Sequence, residues 1–204
     1  VETLTAESAL EIAIAKYTQL AEQLSPDQGF PRNVENGQWR QVGSMDWTDG
    51  FFAGILWQLS TRDASLESQA VRWTTPLASR SGFASHDVGF IINNSFGKAF
   101  RQTGQERFRT PIIEAANTLA TRFNQSVGAT RSWDFGSYQY PVIIDNMMNL
   151  ELLFYSSEAF SEQQHDDFAL SHASVTANQH VRDDFSTFHL VDFEPSTGAV
   201  LSKQ

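Results

Sequence analysis

The sequence contains no cysteine among its 204 residues. Disulfide bridges, cysteine nucleophiles and zinc sites built on thiolates are therefore excluded. It also lacks any apolar run approaching the roughly 20 residues that a membrane-spanning helix needs, so no membrane partner is expected. No basic segment followed by an apolar core opens the chain at Val1, so we expect no signal peptide. The cytoplasm and the periplasm of a bacterium both stay open.

Basic residues are scarce, since 14 Lys and Arg stand against 24 Asp and Glu and give a formal net charge of −10. A nucleic-acid partner is not expected, because such proteins present a basic face. An anionic substrate stays open only where local Arg, His or helix N-termini offset the negative field. Aromatic residues are plentiful, with 16 Phe and 5 Trp, which suits both core packing and stacking on sugar rings. The oligomeric state is not determined by any of these features.

The hydrophobic pattern is mainly helical, with apolar residues recurring at helical spacing. The predicted helices cover residues 6–24, 48–60, 66–78, 85–103, 106–123, 145–160 and 162–181. Thr48 is the predicted N-cap of the second helix, and Gly104 ends the fourth. A polar loop is predicted through Asn36-Gly37, and a loop rich in glycine and aromatics at 127–140. Residues 187–200 are predicted to form a β-hairpin with its turn at 194–198.

The predicted helices alternate in character. The second, fourth and sixth are apolar on most sides, whereas the others carry charged faces. Helices that are apolar all round are inner ones, and amphipathic helices are outer ones. We therefore predict an all-α fold, an α/α toroid with one small β-hairpin near the C-terminus. Closing such a ring takes about twelve helices at this spacing, so residues 1–204 are predicted to be a single domain, the N-terminal portion of a longer toroid.

This topology would gather residues that are far apart in the sequence. In up-and-down helical pairs every inner helix points the same way, so the inner N-termini open onto one face. The residues at these starts are Trp47-Thr48-Asp49, His86-Asp87 and Asp145-Asn146. Two carboxylates in one such mouth could share a proton and perform acid/base chemistry on a sugar. A neighbouring charge and an aromatic wall favour the protonated form, whereas a helix N-terminus favours the anion.

The same residues also have purely structural explanations. Asp87 and Asp145 are candidate N-caps, each worth about 1 kcal/mol. Asp49 is interpreted as a first-turn partner of the helix dipole. Met147 and Met148 are interpreted as core residues.

Three histidines of the last predicted helix, His165, His172 and His180, stand near Asp166 and Asp167. They do not show a recognised metal-ligand spacing, so a solvated outer face is favoured over a metal site. We expect no metal and no cofactor.

Five stretches resemble the unsaturated glucuronyl hydrolases, glycoside hydrolase family 88. They are Asp46-Trp47-Thr48-Asp49-Gly50-Phe51, Ser85-His86-Asp87-Val88-Gly89-Phe90, Ser95-Phe96-Gly97, Ile144-Asp145-Asn146-Met147-Met148-Asn149-Leu150 and Thr187-Phe188-His189-Leu190-Val191-Asp192-Phe193. They follow the family's order along almost the whole chain. The resemblance implies an (α/α)6 toroid of the six-hairpin glycosidase type.

The resemblance also implies roles for six residues. Asp145 would be the general acid/base and Asp87 its carboxylate neighbour. The sugar subsite would be lined by Trp47, Phe51, His86 and His189. The substrate would be an oligosaccharide left by a polysaccharide lyase, with a 4,5-unsaturated uronic acid at its non-reducing end.

The chemistry implied by the resemblance is hydration of the C4=C5 double bond rather than direct displacement at the anomeric carbon. For Trp47 and Phe51, one turn apart on a helical face, core packing remains the alternative to sugar stacking. For His189 the alternative is a structural hydrogen bond. Two other functions stay open: an unsaturated rhamnogalacturonyl hydrolase of the same fold, and a non-catalytic glycan-binding or helical scaffold domain.

Overall fold

The computed structural model describes residues 5–204, so the expectation about a signal peptide at Val1 lies outside the described residues. Within them the α-helices are α1 Ala6–Gln23, α2 Asp49–Ser60, α3 Glu67–Thr74, α4 Val88–Ile92, α5 Lys98–Thr103, α6 Arg109–Ala120, α7 Asn146–Phe160 and α8 Gln163–Gln179. The strands are β1 Phe30–Glu35, β2 Gln38–Val42, β3 Phe123–Asn124, β4 Ala129–Thr130, β5 Pro141–Ile143, β6 Leu190–Phe193 and β7 Val200–Lys203. All seven predicted helices are present, with their ends shifted by a few residues.

Two predicted helices change their winding along their length. The third passes from α3 into a 3₁₀ segment, Thr75–Arg80, where Pro76 has no N–H to continue the α pattern. The fourth is one continuous run in which a π-helical segment, Asn93–Gly97, joins α4 to α5. Gly104 then ends α5 with a φ of 64°, which confirms it as a left-handed helix terminus.

The fold is mainly helical, as predicted, but the prediction of a single β-hairpin is wrong, because the described residues form three small antiparallel sheets. The predicted polar loop at Asn36-Gly37 is the turn between β1 and β2, which pair from Phe30↔Val42 to Glu35↔Gln38. Both turn residues have positive φ, 51° and 75°, as a two-residue hairpin turn requires. The predicted loop at 127–140 also contains β4, which pairs with β3.

The hairpin predicted near the C-terminus is confirmed as β6 and β7, although its strands extend to Lys203. It is joined by β5, which pairs antiparallel with β6 through Val142↔Val191 and Ile143↔Leu190. The ladder continues one step further, since the Ile144 N–H donates to the His189 carbonyl at 2.9 Å. This pairing ties the segment before α7 to the segment before β6.

The core lies mainly between α2, α3, α4, α6 and α7. Its largest fully buried side chains include Trp57, Trp73 and Phe108. The polar edge of Trp57 is satisfied inside this core, because its Nε1–H donates to Thr74 Oγ1 at 2.8 Å. Two of the predicted inner helices are the most buried ones, with nine α2 residues and all of α4 inside. No helix among residues 5–204 is long and apolar enough to cross a membrane.

Two predictions about the outer and inner faces are wrong. The histidines of the last helix do not form a solvated face, since His165, His172 and His180 are all buried. Burial is tolerated because each ring has a polar partner; His172 Nδ1, for example, accepts from the Thr130 N–H at 2.9 Å.

Two methionines that were predicted to be buried are exposed to solvent. Met147 and Met148 are 37% and 65% exposed rather than core residues, because the first turn of α7 faces solvent on that side.

Candidate active site

Three helix starts meet around one cavity of about 200 Å³. Its lining residues are Trp47, His86, Asp87, Phe90, Ile143 and Asp145. They lie before or at the beginning of α2, α4 and α7, the three predicted inner helices. The predicted convergence of these helix starts is confirmed, and four of the six predicted site residues share the cavity. The catalytic and binding roles assigned to them stay predictions.

Asp87 lies just before α4 and is partly buried in the wall of this cavity. Its Oδ2 accepts from the Ser85 hydroxyl at 3.0 Å, and its Oδ1 lies 3.3 Å from His86 Nε2. Burial raises the pKa of the Asp87 carboxyl, and the negative charge of Asp145 adds to the increase. The Ser85 hydrogen bond and the positive charge of Arg122 oppose it. The charge of Asp145 therefore reaches the Asp87 carboxyl across the cavity.

Asp145 lies directly before α7 with its side chain 46% exposed, so a molecule from the solvent can reach it. The β5–β6 pairing brings His189 to the same place, with its Nδ1 4.0 Å from Asp145 Oδ1. His189 is itself 63% exposed and does not line the cavity. It faces the outer side of the Asp145 carboxylate, where a ligand could contact both groups.

The structure does not support the alternative explanation, in which Asp87 and Asp145 are ordinary N-caps. The side chains of Asp87 and Asp145 occupy cap positions but accept no hydrogen bond from the first turn of α4 or α7. Thr48 does not cap α2 either, because its hydroxyl donates instead to Asp46 Oδ1 at 2.7 Å. Neither cavity carboxylate is thus used to cap its own helix.

His86 is almost completely buried behind Asp87. Burial lowers its pKa to about 4, and the charge of Arg122 adds to this effect, whereas Asp145 opposes it. The ring is therefore neutral near pH 7. On its far side the Trp133 ring lies with its centroid 6.4 Å away.

Trp47 packs against two other aromatic residues, Phe51 and Phe90, at the edge of the carboxylate cavity. Trp47 itself is 46% exposed and packs edge-on against Phe51, with a centroid distance of 5.8 Å. Both rings also contact Phe90, at 6.1 Å and 5.8 Å. Phe51 stands outside the carboxylate cavity and lines a neighbouring cleft of about 320 Å³ beside Trp39. It supports Trp47 from behind rather than lining the cavity with the two acids.

Asp49 lies in the first turn of α2, as predicted, but it also has polar partners that the sequence did not indicate. Its side chain is fully buried, and its Oδ2 lies 3.2 Å from Arg80 Nε. Its Oδ2 also accepts from the Asp46 N–H at 3.3 Å, which closes the turn that carries Trp47. Burial raises the pKa of Asp49 to about 6, against the opposing effects of these two partners.

Sequence reasoning missed three residues around the site: Arg122, Trp133 and Asn149. Arg122 is buried and donates to the Ala84 carbonyl at 2.7 Å and to Asp134 at 2.8 Å. Through these two hydrogen bonds Arg122 connects the segment before His86 to the loop that contains Trp133. The high aromatic content of that loop was the available signal for Trp133. Asn149 lies in the stretch 144–150 that resembles the family, but the resemblance did not assign it a role.

No protein-family model matches the chain. An unsaturated glucuronyl hydrolase from Formosa agariphila is 38% identical over 182 residues, which cover 85% of this chain and 46% of that protein. An unsaturated chondroitin disaccharide hydrolase from Streptococcus agalactiae is 30% identical over 174 residues, covering 81% of this chain and 44% of that protein. The chain thus spans about half the length of the curated relatives it matches.

Solved structures agree with these sequence matches. The crystal structure of an unsaturated glucuronyl hydrolase specific for heparin has a TM-score of 0.91 at 38% identity, covering 95% of this chain and 53% of that one. A mutant unsaturated glucuronyl hydrolase from Streptococcus agalactiae, complexed with dGlcA-GalNAc6S, has a TM-score of 0.72 at 26% identity, covering 99% of this chain and 51% of that one.

These relatives are carbohydrate-cleaving hydrolases. The chain is homologous to the unsaturated glucuronyl hydrolases over most of its own length, which confirms the resemblance carried by its five sequence stretches.

Proposed function

We propose that the protein removes a 4,5-unsaturated uronic acid from the non-reducing end of lyase-generated oligosaccharides. The observation that carries the proposal is the shared cavity, in which Asp87 and Asp145 face each other's charge beside Trp47 and His86. We also infer that the helices belong to an (α/α)6 toroid, of which this chain supplies the part that holds the two acids.

The proposed reaction is the addition of water to the C4=C5 double bond. A protonated carboxyl gives its proton to C4, and positive charge develops at C5 and the ring oxygen. Water then adds at C5 and gives up a proton to the same carboxylate, as general acid/base catalysis allows. The hemiketal formed at C5 opens to a ketone, which leaves a hemiacetal at C1. This hemiacetal breaks its bond to the oxygen of the partner sugar and becomes an aldehyde, so the partner sugar leaves as an alcohol. The sum of these steps is the uptake of one water molecule.

Asp145 suits the acid/base role because it is the more exposed of the two carboxylates and lies at the mouth. Asp87 suits the role of its neighbour, because its negative charge favours a proton on the pair. Trp47 offers an exposed indole face for the apolar side of a sugar ring. His189, whose Nδ1 lies 4.0 Å from Asp145 Oδ1, would contact the polar groups of the unsaturated uronate.

The substrate class proposed is a glycosaminoglycan-derived disaccharide. One relative is named for chondroitin disaccharides and another structure for heparin, which supports testing both kinds of disaccharide first. These names favour a glucuronyl substrate over the rhamnogalacturonyl one. A purely glycan-binding domain remains the contrasting outcome, in which binding survives the loss of both carboxylates.

The test follows the ultraviolet absorbance of the conjugated double bond in the intact protein supplied with unsaturated chondroitin and heparin disaccharides. Absorbance should decay with the wild type and fail to decay with Asp145→Asn. The matching saturated disaccharides should not be cleaved, because hydration requires the double bond. In heavy water the product should carry deuterium at C4. Cleavage of the saturated sugars, or no decay with any unsaturated substrate, would contradict the proposal.

A further inference from the structure

Asn149 is a buried amide between the two helices that carry the site acids. It is only 1% exposed, and it lies one turn into α7 from Asp145. Its Oδ1 accepts from the Phe90 N–H of α4 at 2.7 Å. Its Nδ2 lies 3.3 Å from the Asp145 carbonyl and 3.4 Å from His86 Nδ1. A single side chain thus contacts both helix starts and the histidine behind them.

The orientation of this amide is determined by its partners. The Phe90 N–H requires an acceptor, and an amide nitrogen cannot accept, so the atom facing Phe90 is the oxygen. The –NH₂ group is then left with two hydrogens for two acceptors, the Asp145 carbonyl and His86 Nδ1. Gly89 allows the two helices to come this close, because a Cβ at that position would lie 2.5 Å from Asn149 Oδ1 and 2.8 Å from its Cα.

The tautomer of His86 follows from this orientation. A neutral imidazole has one nitrogen that donates and one that accepts. His86 is buried and neutral near pH 7, with a pKa lowered to about 4. Because Asn149 Nδ2 can only donate, His86 Nδ1 must be the accepting nitrogen. The ring proton then belongs on Nε2, the nitrogen 3.3 Å from Asp87 Oδ1.

We propose that Asn149 is a positioning residue, which holds His86 in the Nε2–H tautomer and turns that proton toward Asp87. The catalytic meaning of this arrangement rests on the proposed function. With a proton already on Nε2, the nitrogen that faces Asp87 has no lone pair to take a proton from that carboxyl. Proton exchange at the site is thereby confined to the two carboxylates.

Several charged or titratable groups face this histidine. Asp87 is the nearest, and the charges of Asp145 and Arg122 reach it from α7 and from the loop after α6. His172 of α8 interacts with it from behind and is itself kept neutral by burial, which lowers its pKa to about 3. None of these groups competes with Asn149 for His86 Nδ1 among the hydrogen bonds of residues 5–204.

The test is the ¹⁵N spectrum of the histidine rings near neutral pH without substrate. In the wild type, the His86 signals should show a protonated Nε2 and an unprotonated Nδ1. Asn149→Asp keeps an oxygen for the Phe90 N–H but presents a second acceptor to His86. Nδ1 should therefore gain a proton in this variant, in either the neutral Nδ1–H form or the imidazolium form.

Met148→Asp is the matched control, because it adds the same charge one residue away on an exposed side chain. It should leave the proton on Nε2. A wild-type ring protonated on Nδ1 would overturn the proposal, and so would a folded Asn149→Asp variant whose Nδ1 stays unprotonated. If Asn149→Asp does not fold, the wild-type spectrum decides alone. Because no turnover is measured, failure of this proposal is distinguishable from failure of the proposed function.

Discussion

Asp49 and Asp87 occupy equivalent places in the sequence pattern and differ in what surrounds them. Both lie at the start of a helix in the core, and burial raises the pKa of both carboxyls. Asp49 is sealed from solvent and paired with Arg80. Asp87 lines a cavity and has His86, a neutral ring, at the corresponding distance.

The difference shows that burial alone does not identify a reactive acid. A buried carboxylate that has a charged partner and is closed to solvent stabilises a turn. For Asp49 this is the turn that carries Trp47. A carboxylate with a raised pKa, a neutral partner and a second acid across a cavity can exchange a proton with a ligand. Access to the cavity and the charge of the partner side chain therefore distinguish Asp87 from Asp49.

The largest expected effect is on enzyme activity, where substitutions of Asp87 and Asp49 should give different rates. Asp87→Asn should lower the rate of double-bond loss about 100-fold or more, because it removes one member of an acid/base pair. Asp49→Asn should retain most of the wild-type rate, since Asp49 lies outside the cavity. Both variants are compared on one unsaturated disaccharide under conditions where circular dichroism shows them folded. A large loss of rate in the Asp49 variant alone would reverse the assignment.

The next effect is the dependence of the free energy of unfolding on pH. The pKa of Asp49 is about 6 in the folded protein, compared with a reference of 3.8. The folded state therefore holds this proton more tightly, and the free energy of unfolding falls as the pH rises from about 4 to about 6. The shift corresponds to about 3 kcal/mol.

Denaturant unfolding of the wild type and Asp49→Asn at both ends of this pH range measures the effect. The drop in unfolding free energy should be smaller in the variant by up to this amount. Equal drops in the two proteins would count against the raised pKa of Asp49.

A smaller effect tests the contact between α4 and α7. Gly89→Ala places a methyl group against Asn149, so the two helices must separate slightly, at a cost of about 1–3 kcal/mol. Gly82→Ala is the matched control, because a Cβ at that glycine meets no atom within 4 Å. Thermal unfolding of both variants provides the comparison. Equal stabilities would mean that the helix contact is looser than the structure indicates.

The smallest effect concerns the proton of Asp87 itself. Ser85→Ala removes a hydrogen bond that lowers the pKa of this carboxyl, so the pKa of Asp87 should rise further. A ¹³C titration of the Asp87 side chain measures the change. Asp63 in the same spectrum is a suitable internal reference, because its own serine partner, Ser65, is left intact. A fall in the pKa of Asp87 would contradict this account of its surroundings.

The sequence predicts the convergence of the site better than it predicts its details. Helical periodicity and the alternation of inner and outer helices were enough to bring Asp87 and Asp145 together, because helix direction follows from topology. The β1–β2 hairpin was missed although Asn36-Gly37 is a strong hairpin signal, because the flanking strands are mostly exposed and polar.

Partners from distant segments could not be predicted from local pattern. His172 and His180 are buried only because Thr130 and Val142 supply hydrogen bonds from strands elsewhere in the chain. Asp49 likewise depends on Arg80, which belongs to another segment. A local pattern reports the character of a face, whereas the pairing of a buried polar group depends on which segments the fold brings together.

The close approach of Gly89 and Asn149 has an evolutionary consequence. A lineage that replaced Gly89 with a larger residue would press on the amide behind the two acids and also on the Cα of residue 149, which would lie 2.8 Å from the new Cβ. A smaller side chain at 149 would relieve only part of that pressure and would release the histidine. We therefore expect position 89 to remain glycine in relatives whose helices meet this closely.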